Sequence, residues 1–228
     1  MQGDGIRAVT LDLDDTLWPF APIAANVEAA IVGFLREHAP STAEGYDAQA
    51  AMAVFATVKA ERADLAHDLG ATRVEAMRRM LLAAGDDPAL AEPAFELAYE
   101  VRQQVRLYPD VPAALDRIAA RFPILAITNG NADVERIGIG RWLRGVVASQ
   151  DLRIAKPDAR IFAAACARLG LPAGAVLHAG DDLHTDVGGA LAAGLRAAWV
   201  HRDLEGDAPP GVLRARDMTE LADRLDEA

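Results

Sequence analysis

Apolar runs and amphipathic segments alternate along most of the chain. The runs are continuously apolar, which is typical of strands buried on both faces of a parallel sheet. Segments whose apolar residues have helical spacing lie between them. This pattern predicts an α/β fold, a doubly wound parallel sheet with helices on both faces. The predicted strands are residues 6–13, 123–127, 146–149, 176–179 and 197–200.

Three helices are predicted between the later strands. The first covers 111–121, with Asp110 as its cap and a proline in its first turn. The second covers 158–169. The third covers 186–193 and ends before Gly194, because glycine adopts the left-handed conformation that follows many helices.

The stretch from 18 to 106 is much longer than a crossover between neighbouring strands requires. Residues 27–35 carry the apolar spacing of an amphipathic helix, and 41–44 and 72–75 have the form of capping boxes. We interpret 18–106 as an inserted helical domain, with 1–17 and 107–228 forming the sheet domain. The alternative is a set of extra helices packed on the sheet.

Composition and charge narrow the classes of function. The chain has 228 residues, is 52% hydrophobic and carries a net charge of −11, which argues against a nucleic-acid partner. A small anionic ligand remains compatible, since a metal ion and a few cations can make a local positive pocket. No apolar run approaches about 18 residues, no signal peptide is apparent and Cys166 is the only cysteine. A cytoplasmic protein without disulfides or membrane association is therefore expected.

Polar residues stand where three of the predicted strands end and on one loop before a helix. Ligands of open α/β sheets bind beyond the carboxyl ends of the strands, so these side chains are expected to converge at one edge. They are Asp12, Asp14, Thr128, Asn129, Gly130, Lys156, Asp181, Asp182 and Asp186.

The first group suits phosphoryl transfer. Asp12 and Asp14 are two residues apart, and Mg²⁺, which prefers hard oxygen ligands, relieves the repulsion between such carboxylates. Asp12 is ionised at neutral pH without help and can attack phosphorus, while Asp14 can act as an acid and then as a base. Two acids in one loop are common, however, and alone they indicate little.

The other groups each have an ordinary structural interpretation as well. The sequence Thr128-Asn129-Gly130 can hold phosphate oxygens or simply form a turn. Lys156 offers a point charge to phosphate, or it is a surface lysine. The acids 181, 182 and 186 suit Mg²⁺, but acids also cap helices.

The order of these groups resembles the four motifs of the haloacid dehalogenase (HAD)-like superfamily of phosphohydrolases. LDLDDTLW is similar to the first motif, ITNG to the second, Lys156 to the third and GDDLHTD to the fourth. The resemblance covers roughly 1–17 and 107–228. The insertion at 18–106 corresponds to the helical cap of C1-capped members.

A narrower resemblance is carried by AITNGNADVERIGIG and LHAGDDLHTDVGGALAAGLRAAWV. These stretches are similar to bacterial members that hydrolyse flavin mononucleotide and the phosphorylated ribitylaminouracil precursor of riboflavin. The resemblance thus implies a phosphatase whose partner is a small phosphorylated metabolite and whose cofactor is Mg²⁺.

The resemblance also implies a role for each residue. Asp12 is the nucleophile and a metal ligand, Asp14 is the general acid and base and a ligand through its backbone carbonyl, and Asp181 is a direct metal ligand. The phosphate is held by Thr128, Asn129, Gly130 and Lys156. Asp182 and Asp186 support the metal site without binding the ion directly, and Thr16 orders the first loop.

Other readings stay open from the sequence. A dehalogenase needs the nucleophile but neither an acid for the leaving group nor Mg²⁺, so keeping Asp14 and Asp181 favours phosphate chemistry. A phosphomutase would use the same four motifs. A receiver-like signalling module uses similar residues, but is much shorter and has no large insertion. A non-catalytic binding module is disfavoured by the intact set of acids with Lys156.

Overall fold

The computed structural model describes residues 5–65, 68–202, 206 and 208–227. The chain divides into two compact units, one made of residues 1–19 and 106–228 and the other of residues 20–105. The first unit carries the sheet and the second is helical. That the second unit works as a cap remains a prediction.

The first unit is built on a six-stranded sheet in which every pairing is parallel. The strand order is β3-β2-β1-β4-β5-β6, so the first strand lies in the interior of the sheet with β2 on one side and β4 on the other. This arrangement confirms the predicted α/β fold. The strands are β1 (Ala8–Leu11), β2 (Ile124–Thr128), β3 (Val146–Ala148), β4 (Val176–Gly180), β5 (Arg196–Val200) and β6 (Leu213–Ala215).

The three central strands are buried along their whole length, which explains why their sequences are continuously apolar. Helices from this unit complete the layers, and α9 contributes Ile161 and Phe162 to the core beside β2 and β4. The helices of this unit are α6 (Val111–Arg121), α7 (Val134–Ile137), α8 (Ser149–Leu152), α9 (Ala159–Leu169), α10 (Gly189–Ala192) and α11 (Met218–Asp226).

Two predictions about this unit need correction. The sixth strand, β6, was not predicted, because its three residues LRA contain too short an apolar run to be distinguished from a loop. The helix predicted over 186–193 begins earlier, as a π-helical turn over Leu183–Gly188 that continues into α10. It begins there because the Asp182 side chain accepts the backbone N–H groups of His184 and Thr185.

Three predicted caps need correction. Asp110 occupies the predicted N-cap position of α6, but its side chain makes no capping hydrogen bond and instead accepts hydrogen bonds from Arg202 and from the Met218 N–H. In the helical unit, the segments 41–44 and 72–75 lie inside helices rather than at their starts. The helix that contains Thr72 is capped by Asp68, whose carboxylate accepts the Ala71 N–H.

The helical unit contains five α-helices within its described residues. The first packs along the fifth, and the third along the fourth. Leu35, Ala39, Leu81 and Ala91 form a buried cluster at its centre. The helices are α1 (Phe20–His38), α2 (Pro40–Glu44), α3 (Ala48–Glu61), α4 (Leu69–Ala84) and α5 (Ala91–Arg102).

None of the helices in the described ranges combines the length and the apolar character that a transmembrane span requires.

Candidate active site

Polar side chains meet at the carboxyl edge of the sheet. In the register of the sheet, Leu11 of β1 lies between Ala126 of β2 and Ala179 of β4. The residue that follows β1 is Asp12, whose N–H donates to the carbonyl oxygen of Ala179 at 2.9 Å. Asp181 follows directly after β4. Two strand ends therefore bring Asp12 and Asp181 to the same place, as the sequence predicted for an open α/β sheet.

Lys156 is the cation at the centre of this edge. Its Nζ donates to Asp12 Oδ1 at 2.5 Å and to Asp186 Oδ1 at 2.6 Å. The exposed fraction of the three side chains is 3% for Lys156, 12% for Asp12 and 2% for Asp186. One buried ammonium group is thus shared by two buried carboxylates, which is an arrangement that only close pairing makes tolerable.

The pKa values of the two carboxylates that share the lysine shift in opposite directions. Burial raises the pKa of Asp12 to about 8; Lys156 opposes this shift, and the negative charges of Asp186 and Asp181 add to it. Burial acts on Asp186 in the same direction, but hydrogen bonds and charge from His178 and Lys156 outweigh it and lower the pKa of Asp186. The same two carboxylates raise the pKa of Lys156 against the effect of its burial. Asp186 is therefore the carboxylate whose charge the lysine favours, whereas burial disfavours the charge of Asp12, in contrast to the expectation from the sequence that Asp12 is ionised without help.

A tight loop orients Asp14 after β1. Asp15 adopts a left-handed backbone with φ of 58°, and its N–H donates to the Trp18 carbonyl oxygen at 2.8 Å. The Trp18 indole is fully buried, and its Nε1–H donates to Asp14 Oδ1 at 2.8 Å. Asp14 itself is half-buried. The Trp18 indole therefore fixes the orientation of the Asp14 carboxylate.

The loop that carries Lys156 is tethered by Asn129. The Asn129 side chain donates to the Lys156 carbonyl oxygen at 3.0 Å and accepts the Lys156 N–H at 2.8 Å. Thr128 Oγ1 accepts the Gly130 N–H at 2.9 Å. These contacts give the second motif a structural task, which is to fix the lysine loop against the end of β2. Phosphate binding by residues 128–130 stays a prediction.

Three carboxylates could hold a metal ion here. Oxygen atoms of Asp12, Asp181 and Asp186 lie within 4.8 Å of one another. Asp181 is steadied by Thr16, whose hydroxyl donates to its Oδ1 at 3.2 Å. Burial raises the pKa of Asp181 to about 6, and the charge of Asp186 adds to this effect. A divalent cation would relieve this crowding of negative charge.

Asp182 stands apart from that cluster. Its exposed carboxylate accepts hydrogen bonds from the backbone of His184 and Thr185 and from the Thr185 hydroxyl. These hydrogen bonds lower its pKa, led by that of the Thr185 N–H. In the structure Asp182 caps the π-helical turn, and this turn in turn places Asp186 beside Lys156.

A fully buried pair lies beneath the site, and the sequence did not single it out. His178 of β4 pairs in register with Thr10 of β1, and its Nδ1 lies 2.9 Å from Thr10 Oγ1. Its Nε2 lies 3.2 Å from Asp186 Oδ1. The signal in the sequence that could have identified the pair is that Thr10 and His178 are polar residues inside two otherwise apolar predicted strands. Trp18 was likewise given no role, because its contact with Asp14 depends on the loop geometry.

The comparisons with known proteins agree with this geometry. A family model described as haloacid dehalogenase-like hydrolase matches residues 6–194. The 5-amino-6-(5-phospho-D-ribitylamino)uracil phosphatase YigB of Escherichia coli (strain K12) is 31% identical over 206 residues, covering 89% of this chain and 86% of that protein. A phosphoserine phosphatase of Thermus thermophilus is 31% identical, covering 95% of this chain and 98% of that protein.

Solved structures show the same fold. A crystal structure of a 2-haloacid dehalogenase from Pseudomonas syringae pv. Tomato DC3000 superposes with a TM-score of 0.91 at 32% identity, covering 97% of this chain and 99% of that one.

Proposed function

The chain belongs to the haloacid dehalogenase-like hydrolases, and we propose that it hydrolyses a small phosphomonoester through an aspartyl-phosphate on Asp12, with Mg²⁺ as cofactor. The observation that carries the proposal is the position of Asp12. Its carboxylate lies at the carboxyl edge of the sheet, in contact with a buried lysine and near Asp181. The charge on a transferring phosphoryl group is stabilised by a fixed cation such as this lysine and by a bound metal ion.

The residues present fit a magnesium ion. The oxygens of Asp12 and Asp181 are hard donors, whereas Asp186 is already engaged by Lys156 and His178. We therefore assign Asp12 and Asp181 as side-chain ligands, with the backbone carbonyl of Asp14 as a third ligand carried over from the family. When bound, the ion would favour the ionised form of Asp12 and stabilise charge on the phosphate oxygens.

In the first half-reaction, a carboxylate oxygen of Asp12 attacks phosphorus. The bond from phosphorus to the substrate oxygen breaks, and Asp14 gives its proton to that oxygen so that a neutral alcohol leaves. Trp18 holds Asp14 by its indole N–H, and Lys156 offers positive charge to the transferring group. Residues 128–130 would receive the phosphate oxygens.

In the second half-reaction, water attacks the phosphorus of the aspartyl-phosphate. Asp14, now ionised, takes the proton of the water as the new bond to phosphorus forms. The bond from phosphorus to Asp12 breaks, inorganic phosphate leaves, and the Asp12 carboxylate pairs again with Lys156. Both carboxylates of the first motif return to their starting states.

A dehalogenase is the second candidate, because the superposed structure with a TM-score of 0.91 bears that name. Such a reaction would need a carboxylate nucleophile, but it would need neither a proton donor for the leaving halide nor a metal. Asp14, with its indole donor, and Asp181, with its threonine donor, would then have no task. These two side chains favour phosphate chemistry.

The substrate we propose is a phosphorylated ribityl compound or flavin mononucleotide. The support is the 31% identity to the Escherichia coli phosphatase named for such a substrate. A panel of phosphorylated metabolites assayed for phosphate release, with 2-chloropropionate assayed for chloride release, tests this assignment. We expect the ribityl phosphates to have the highest kcat/KM. A sugar phosphate or phosphoserine in the lead would refute the substrate, and chloride release without phosphate release would refute the phosphatase.

Removal of divalent metal is expected to stop turnover. Because metal binding supplies several kcal/mol of charge stabilisation, activity after treatment with EDTA should fall on the order of 10²-fold or more and return with Mg²⁺. Mg²⁺ should also raise the thermal midpoint of the wild-type protein, since it binds the folded state. The Asp181→Asn variant serves as the control and should show little such rise. Full activity in the metal-free protein would contradict the metal assignment.

A further inference from the structure

His178 is a buried titratable group that the mechanism above does not use. It is fully buried, as is Thr10, and the Asp186 side chain is nearly so. The ring of Phe162 meets the imidazole edge-on, with centroids 5.0 Å apart. Because the imidazole is fully buried, its two nitrogens need hydrogen-bond partners within the protein, and Thr10 and Asp186 provide them.

The direction of the two hydrogen bonds follows from the partners. An ionised carboxylate only accepts, so the proton between His178 and Asp186 has to sit on Nε2. A neutral imidazole then carries a lone pair on Nδ1, which accepts the hydroxyl proton of Thr10. Burial lowers the pKa of His178, which supports the neutral form. Asp186 thereby selects the tautomer protonated at Nε2, and the Thr10 hydroxyl supports this tautomer by donating to the lone pair of Nδ1.

Resting on the proposed function, we propose that His178 and Thr10 are positioning residues, which fix the Asp186 carboxylate and through it hold Lys156 on Asp12 and on the substrate phosphate. The contacts run in one line, from Thr10 to His178 to Asp186 to Lys156. None of these four residues except Lys156 is expected to touch the substrate.

Besides His178 and Lys156, two further neighbours restrain the Asp186 carboxylate. Its Oδ2 accepts the Asp182 N–H at 3.2 Å. It also packs against Gly180, where an added Cβ would come within 2.4 Å of the Asp186 Cγ. Loss of the His178 donor would leave the carboxylate held from one side and pulled toward the lysine. Lys156 would then shift relative to Asp12, and small displacements of such groups are costly in the transition state.

The matched variants are Thr10→Val and Thr10→Ser. Valine keeps the shape of threonine but removes the hydroxyl donor, whereas serine keeps the donor and loses a methyl group. With p-nitrophenyl phosphate, we expect kcat of Thr10→Val to fall on the order of tenfold with little change in KM, and Thr10→Ser to stay within about threefold of wild type. An equal loss in both variants, or full activity in Thr10→Val, would overturn the proposal.

The tautomer is measured independently of turnover. In ¹⁵N-correlated NMR spectra of the histidine side chains, His178 should show a protonated Nε2 and an unprotonated Nδ1, with the signal assigned by its loss in His178→Gln. In Thr10→Val the proton should stay on Nε2, because the Asp186 carboxylate still requires a donor there, but the Nδ1 signal should shift because it loses the Thr10 hydrogen bond, while the signals of the other histidines stay as they are. A protonated Nδ1 in the wild-type protein would refute the line of hydrogen bonds.

The kinetic and the NMR measurements together distinguish failure of the proposed function from failure of the positioning role. If the wild-type protein releases no phosphate but His178 has the expected tautomer, the proposed function fails and the hydrogen-bond direction stands. If the wild-type protein is active and Thr10→Val matches it in kcat, the positioning role fails and the proposed function stands. His178→Gln, whose amide can donate near the Nε2 position, should retain more activity than His178→Leu.

Discussion

Replacing Asp12 by asparagine is expected to abolish phosphate release and leave the protein folded. The amide is nearly isosteric with the carboxylate but is a poor nucleophile, so kcat should fall at least on the order of 10⁴-fold. Folding should tolerate the change, because burial raises the pKa of Asp12 to about 8 and so disfavours its charged form in the folded protein. Lys156 keeps Asp186 as its counter-ion.

The matched control is Asp15→Asn, three positions further along the same loop. Asp15 is exposed and has a φ of 58°, a conformation that asparagine adopts readily. The variant should keep its activity within about threefold of wild type, because the exposed Asp15 side chain takes part in no step of the proposed reaction and its charge is one of the lesser effects on Asp181. Urea unfolding of both variants checks the fold. Wild-type activity in Asp12→Asn would end the aspartyl-phosphate mechanism.

The second large effect is expected for Lys156→Met. Methionine fills much of the space but removes the cation that Asp12 and Asp186 share at 2.5 and 2.6 Å. Breaking a buried pair by removing one partner costs about 3–5 kcal/mol, so the free energy of unfolding should fall by that order. Activity should fall on the order of 10³-fold, because positive charge on the phosphoryl group is lost as well.

The chain itself provides the control for this variant. Only two lysines occur among its 23 cationic residues, and the other, Lys59, lies exposed on α3. Lys59→Met should change neither the stability nor the rate. Lys156→Arg keeps the charge, but its larger planar group does not fit a site built for a point charge, so it should recover only part of the activity. Unchanged unfolding of Lys156→Met would show that the ion pairs contribute nothing to the fold.

The sheet and its catalytic edge were predictable because burial and chain direction leave strong marks in a sequence. Strands covered on both faces have to be continuously apolar, and this fixed β1, β2 and β4 to within a few residues. Parallel strands end at a common edge, so polar residues after each run could be expected to meet. The contact of Lys156 with Asp12 follows the same logic, although its residues are 144 positions apart.

The parts that could not be predicted depend on side-chain partners rather than on pattern. The sequence alone leaves open whether Asp182 supports a metal or caps a helical turn. The backbone geometry after β4 places its carboxylate where it accepts the Thr185 N–H. Asn129 reads as a turn residue or a phosphate ligand, and only the placement of the lysine loop shows that its amide holds that loop. The role proposed for His178 depends on its hydrogen bond with Thr10, which is 168 positions away in the sequence and could not be foreseen from it.

The most direct test of the central proposal is to trap the phosphorylated residue. In the Asp14→Asn variant, p-nitrophenyl phosphate should still react, because its leaving group needs little help from an acid, whereas hydrolysis of the intermediate lacks its base. Acid quenching followed by borohydride reduction converts an acyl-phosphate of aspartate to homoserine, which peptide mass spectrometry locates. We predict homoserine at position 12. Phosphate release without any homoserine, or homoserine at another position, would contradict the assignment of Asp12 as the nucleophile.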